Sequence, residues 1–283
     1  MKTYYNFISE KYKQFFGPND DVEIFELLKN TTIFDYIMNN SEIHRNKLIY
    51  REDDNNSSNI VLIDPKEITR ISPHASNNIY NLYLSNSELW SAFPKRNKSL
   101  ICGNLDCISY RSGYSFNHVY IVLPFNPKIA VCNDSDIWFS FSTSYYNLNA
   151  LTQQLDMLFN EKKITYSDKD WDIFKNSLNL LDSKTTPSEK EKYFSEVHDE
   201  DLRNQWINNK ISTLEFLNVL LDPKTSLFKI FDYNSSNLMD NNELVEILNT
   251  ENEIWLDSKS LLVKYDYFDE FINNAKKYYN VTT

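Results

Sequence analysis

Short apolar runs, each closed by a breaker, recur in the first half of the chain and again near its end. Ile60-Val61-Leu62-Ile63 stops at Asp64-Pro65, Leu100-Ile101-Cys102 at Gly103, and Val119 to Leu123 at Pro124. Lys128 to Val131, Glu253 to Leu256 and Leu261 to Val263 have the same character. Runs of this length between breakers predict strands. Glu67 to Ser72 alternates polar and apolar and predicts another, ended by Pro73. Helical spacing predicts a helix over 1–16 (Tyr4, Phe7, Ile8, Tyr12, Phe15), helical structure over 20–50, a helix from Asn77 to Trp90, and a terminal one over 266–279. Glu52 to Asn59 is polar and predicts a loop. From about Asn147 to Asn249 the pattern is helical and Lys/Glu-rich, with Leu151, Leu155, Trp171, Phe174, Phe216 and Leu217 at helical spacing.

The expected fold class is therefore α+β, a small mixed or antiparallel split sheet with flanking helices. Its expected parts are an N-terminal helix at 1–16, an α+β core over 20–146 plus 250–283, and a mostly helical insertion at 147–249. At 283 residues, 41% hydrophobic and 15% aromatic, the chain can bury a substantial core.

Net charge of −11 argues against broad binding to nucleic acid or to an anionic membrane, so an anionic ligand needs a local cationic patch. The clearest is Lys95-Arg96-Asn97-Lys98, between the aromatic pair Trp90 and Phe93 and the strand entered through Ser99. No apolar run reaches the roughly 20 residues of a membrane span. Cys102, Cys107 and Cys132 lack metal-like spacing and read as reduced intracellular thiols. With glycine only at 17, 103 and 113, neither a phosphate-cradling P-loop nor a Gly-rich dinucleotide fingerprint nor a nucleophile elbow can be built.

The order of the remaining elements carries a resemblance. A strand bearing Arg70 precedes a helix, then the strand that begins at Ser99, and much later Glu251-Asn252-Glu253 opens the run Ile254-Trp255-Leu256. This resembles the mono-ADP-ribosyltransferase fold of the Arg–Ser–Glu type. The resemblance implies NAD+ as substrate, Glu253 as the catalytic carboxylate, and Glu251 acting with it on a guanidino acceptor of a host protein. It also implies that Arg70 holds the phosphates, with Ser72, Asn77 and Arg96 alongside, and that Ser99 orients Glu253 by a hydrogen bond. Departures are present: Ser99 does not open a Ser-Thr-Ser triplet, whereas Ser142-Thr143-Ser144 does, leaving Arg111, Ser142 and Glu253 as a rival set. About 150 residues separate Ser99 from Glu253, which the helical insertion must account for.

Residues Met1 to Glu10, with Phe7-Ile8 and the triplet Ile8-Ser9-Glu10, resemble the capsid-targeting peptide of internal head proteins in T-even-type tailed phages. That likeness implies packaging with the phage capsid or prohead, cleavage after Glu10, and action in the virion interior or the host cytoplasm. The alternative is a non-enzymatic virion or host-interaction protein on an inactive transferase-like scaffold.

Two further patterns bear on chemistry. Asp232, Asn234, Ser236, Asp240 and Glu243 follow the spacing of an EF-hand calcium loop, but Asn237 stands where glycine is required; two helices joined by a polar loop is the plainer reading. A weaker echo runs from Asn208 to Glu215. His44, His74, His118 and His198 are scattered, and no metal is expected.

Overall fold

The computed structural model describes residues 12–15, 21–53, 57–67, 75–111, 116–132, 134, 136–137, 167–193, 200–224, 229–232 and 252–281. Among the described residues nine strands appear, in chain order: β1 Tyr12–Phe15, β2 Ile49–Glu52, β3 Ile60–Ile63, β4 Leu100–Gly103, β5 Val119–Pro124, β6 Lys128–Val131, β7 Lys229–Asp232, β8 Glu253–Leu256 and β9 Ser260–Lys264. The described helices are α1 Asp21–Lys29, α2 Phe34–Asn39, α3 Ala75–Asn86, α4 Leu105–Arg111, α5 Trp171–Lys184, α6 Pro187–Tyr193, α7 Glu200–Ile207, α8 Thr213–Leu220 and α9 Phe268–Tyr278.

The chain separates into two compact units. One holds residues 9–68, 98–136 and 229–283; the other holds 1–8, 69–97 and 137–228. The first is built on a single sheet of order β1-β3-β9-β5-β2-β4-β8-β6-β7, in which every neighbouring pair is antiparallel. Three of its inner strands, Ile60–Ile63, Leu100–Gly103 and Val119–Pro124, are buried at every position, as continuous apolar runs require. Ile24, Phe25 and Leu28 of α1 and Ile37 and Met38 of α2 join the same core. So do Phe268, Phe271, Ile272 and Ala275 of α9, spaced i, i+3, i+4, i+7 along one helical stripe.

The second unit is helical in its described residues. Trp171 and Phe174 of α5 stack at 5.1 Å, and both rings lie within 6.4 Å of Tyr83 on α3. Trp206 of α7 stacks on Phe216 of α8 at 5.0 Å. Lys190 of α6 is fully buried, its ammonium bonded to Asp182 Oδ1 at 3.0 Å and Asn209 Oδ1 at 2.8 Å and set 4.6 Å from the Trp206 ring. Asp182 also accepts from Thr213 N and Oγ1, which ties α5 to the start of α8.

Asparagine takes the place of scarce glycine at two helix ends. Asn209 (φ 56°) follows α7 and Asn280 (φ 55°) follows α9. Each closes a 6→1 and 5→2 pair: Lys210 N to Gln205 O with Asn209 N to Trp206 O, and Val281 N to Lys276 O with Asn280 N to Lys277 O. This is the Schellman arrangement, which needs a left-handed residue that Asn tolerates better than other side chains.

Several expectations change. The sheet is one continuous nine-stranded sheet rather than a small split one. Tyr12–Phe15, placed in a helix by spacing, pairs with Ile60–Ile63 as a strand. Ile49–Glu52, read within a helical stretch, is β2, at the middle of the sheet between β5 and β4. Asp232, the first position of the calcium-loop spacing and read as part of two helices joined by a polar loop, ends strand β7 opposite Lys128; the rest of that stretch lies outside the described residues. The weaker echo resolves differently: Glu215 accepts from Ser212 N and Oγ while Ser212 Oγ accepts from Glu215 N, a capping box at the start of α8. Pro65–Glu67 is a 3-10 turn, and residues 68–74, including the strand expected around Arg70, lie outside the described residues. Helix α3 groups with the helical unit, whereas β7 belongs to the sheet unit, so the division does not follow the limits 147–249.

Candidate functional site

Strand β8 begins at Glu253, and alternation along a strand puts residues two apart on one face. Trp255 therefore shares a face with Glu253, and its indole Nε1 donates to Glu253 Oε1 at 2.6 Å. Both are buried, Glu253 at 1% exposure and Trp255 at 0%. A carboxylate so placed is expensive unless its hydrogen bonds are made, and the indole supplies one strong, directional partner.

The backbone around Glu253 departs from a regular ladder. Cys132 N donates to Glu253 O at 2.9 Å, but Glu253 N donates onward to Asp134 O at 2.8 Å. The carbonyl this bypasses, Cys132 O, accepts from the side-chain amide of Asn252 at 2.6 Å. Such local breaks redirect side chains and are frequent beside active sites. On the other side Glu253 pairs with Gly103, which pairs in turn with Tyr50. A Cβ at Gly103 would stand 3.0 Å from Cys107 Sγ and 3.3 Å from Asn252 O, so any larger residue there requires those neighbours to give way. Asn104 follows and caps α4, its Oδ1 accepting from Cys107 N at 2.8 Å.

Ser99 does not meet Glu253. Because β4 and β8 run antiparallel, Leu100 faces Leu256 while Gly103 faces Glu253. Ser99 thus lies at the far end of the ladder, four residues from Gly103 or ~13 Å along the strand, more than the two side chains can span. The hydrogen bond expected from Ser99 is corrected by this register, and a donor that does reach Glu253 is the Trp255 indole. The sequence carried that signal as Glu253-Ile254-Trp255, a same-face spacing with an indole donor.

The other candidate residues fall elsewhere. Arg96, in the helical unit, is 6% exposed and donates to Asn81 Oδ1 at 3.1 Å. Asn77 stands in the first turn of α3. Arg70, Ser72 and Glu251 lie outside the described residues, as does Ser142 of the rival set, while Arg111 is the last residue of α4. Cys102, Cys107 and Cys132 are buried and form no disulfide. No group of three His, Cys, Asp or Glu among the described residues could hold a metal ion, and no helix among them is long and apolar enough to cross a membrane.

No family model, no curated protein and no solved structure matches this chain.

Proposed function

We propose that the chain is a mono-ADP-ribosyltransferase of phage origin in which Glu253 is the working carboxylate. What carries the reading is one observation: a buried glutamate at the start of a strand, beside a break in the ladder, with one carboxylate oxygen fixed by the Trp255 indole. In the proposed reaction the bond between nicotinamide and the ribose of NAD+ breaks, nicotinamide leaving with the bonding electron pair. Positive charge builds on the sugar, and a carboxylate held in place stabilises it. The acceptor nucleophile then attacks the sugar carbon and gives up its proton to a base; Glu251, which the resemblance associates with guanidino acceptors, is the carboxylate we propose for that role. Trp255 prevents Glu253 from turning away, the function first assigned to Ser99.

The experiment is incubation of labelled NAD+ with purified protein and host lysate. Labelled protein is expected with the natural chain and not with Glu253→Gln, which keeps the shape and an oxygen for the Trp255 bond but loses the charge. Labelling that survives in Glu253→Gln moves the catalytic role elsewhere. Head packaging is a separate proposal resting on Met1 to Glu10. Virion-derived protein should then begin at Lys11, and an N-terminus at Met1 would remove it.

A second reading has its own support. At 1% exposure, bonded within its own strand, Glu253 also suits a purely structural carboxylate in a non-enzymatic host-interaction protein. That reading expects no labelling by the natural chain, and a lower melting temperature in Glu253→Gln.

A further inference from the structure

Asn252 stands one residue before Glu253, in the sheet unit, and lies close to the strands on both sides of β8. Toward β6 its side-chain amide donates to Cys132 O at 2.6 Å, a short bond between two buried residues. Toward β4 its carbonyl oxygen lies 3.3 Å from where a Cβ of Gly103 would stand. Opposite Glu253 the ladder is uneven. In a regular hydrogen-bonded pair of antiparallel strands the two residues exchange both bonds. Here Glu253 O accepts from Cys132 N, yet Glu253 N donates to Asp134 O, two residues further on, and Cys132 O receives the Asn252 amide instead. The side chain of Asn252 thus takes the acceptor that Glu253 N–H would use in an even ladder. A break of this kind turns the strand locally and re-aims the side chain beside it. That side chain is the Glu253 carboxylate, whose Oε1 accepts from the Trp255 indole.

We propose that Asn252 is a positioning residue for Glu253: its amide, by holding Cys132 O, keeps the ladder uneven and sets the direction from which the carboxylate meets Trp255. The catalytic half of this inference rests on the transferase reading, and the geometric half does not. An alanine at 252 removes the amide that competes for Cys132 O, so Glu253 N–H can pair there, and a ladder that closes in this way turns the carboxylate from its present direction. Aspartate keeps the shape of the side chain, but its carboxylate has no N–H to donate and sets a second acceptor against the Cys132 carbonyl. Glutamine keeps the donor, one methylene further out.

The test is the Trp255 indole N–H resonance of the full isotope-labelled chain, assigned with Trp255→Phe, together with kcat and KM for nicotinamide release from NAD+. A short bond to a carboxylate holds that resonance downfield. Asn252→Ala and Asn252→Asp should each move it upfield, and Asn252→Gln by less. The first two should also lower kcat about tenfold or more with KM within about twofold of the natural value, because the carboxylate is misdirected while the rest of the site is unchanged. Ser212→Ala, a capping-box variant in the helical unit, should leave both the resonance and kcat as they are, which separates positioning from a general loss of stability. If the natural chain releases no nicotinamide while the resonance moves as stated, the transferase reading fails and the positioning of Glu253 by Asn252 stands. A folded Asn252→Ala or Asn252→Asp protein with the natural resonance overturns the proposal, as does an active one with the natural kcat, whatever its KM.

Discussion

Replacing Asp182 with alanine should destabilise the helical unit far more than replacing Lys190 with methionine, although both changes remove the same ion pair. Lys190 is 0% exposed, and its other described partners are neutral: Asn209 Oδ1, the Trp206 carbonyl and the face of the Trp206 ring. In Asp182→Ala a buried ammonium keeps those neutral partners and loses its carboxylate, which costs about 3–5 kcal/mol. The same change removes the acceptor of Thr213 N and Oγ1. In Lys190→Met the unbranched stem still packs against Trp206. Asp182, 22% exposed, retains both Thr213 donors, so the loss is roughly 1–2 kcal/mol. The double variant carries no buried unpaired charge and should be more stable than Asp182→Ala alone. Urea unfolding followed by tryptophan fluorescence, with midpoints and slopes compared across the four proteins, measures each term. If Asp182→Ala loses no more than Lys190→Met, or if the double variant is the weakest of the four, the ammonium is not held as described.

Three other outcomes follow from the geometry. Gly103→Ala should lose about 1–3 kcal/mol, since its Cβ meets Cys107 Sγ and Asn252 O, and pairing it with Cys107→Ala should recover part of that loss in the same unfolding assay. Tyr83 and Tyr120 have hydroxyls bonded to Asn218 Oδ1 and Ser58 O, and burial pushes both up to about 12 from the usual 10. Burial raises Tyr50 as well. Because the folded state binds these protons more tightly, their contribution is whole below pH 10 and is lost as pH rises toward 12; tyrosinate absorbance should rise together with unfolding rather than before it. Ser212→Ala, which removes half of the capping box on α8, should cost roughly 0.5–2 kcal/mol, read from the midpoint shift.

Where the sequence was legible, unbroken apolar runs closed by breakers, or a clear helical stripe, made it so. The apolar runs at 60–63, 119–124, 253–256 and 261–263 are strands, and the i, i+3, i+4, i+7 stripe of Phe268 to Ala275 is a helix. Short, mixed segments were misread. Ile49-Tyr50-Arg51-Glu52 has no periodicity of its own and becomes a strand because β4 and β5 pair with it on either side. Tyr12–Phe15 and Lys229–Asp232 are likewise strands by virtue of their partners. The Ser99 misassignment has a different origin. Residue order names which strands bear Ser99 and Glu253, but strand direction and register decide which ends meet. Antiparallel pairing brings the start of β8 to the end of β4, so Gly103 rather than Ser99 faces the carboxylate. Trp255 was within reach of the same reading, since only the two-residue alternation was needed to put its indole beside Glu253.

The most direct measurement is nicotinamide release from NAD+ by the purified chain with no acceptor present, because it asks only whether the glycosidic bond is broken. We expect slow release by the natural protein, a loss of at least about 100-fold in Glu253→Gln, and an intermediate rate in Trp255→Phe, which frees the carboxylate to rotate. A natural chain that releases no nicotinamide, or a folded Glu253→Gln protein that releases it at the natural rate, would contradict the assignment of Glu253 as the working carboxylate.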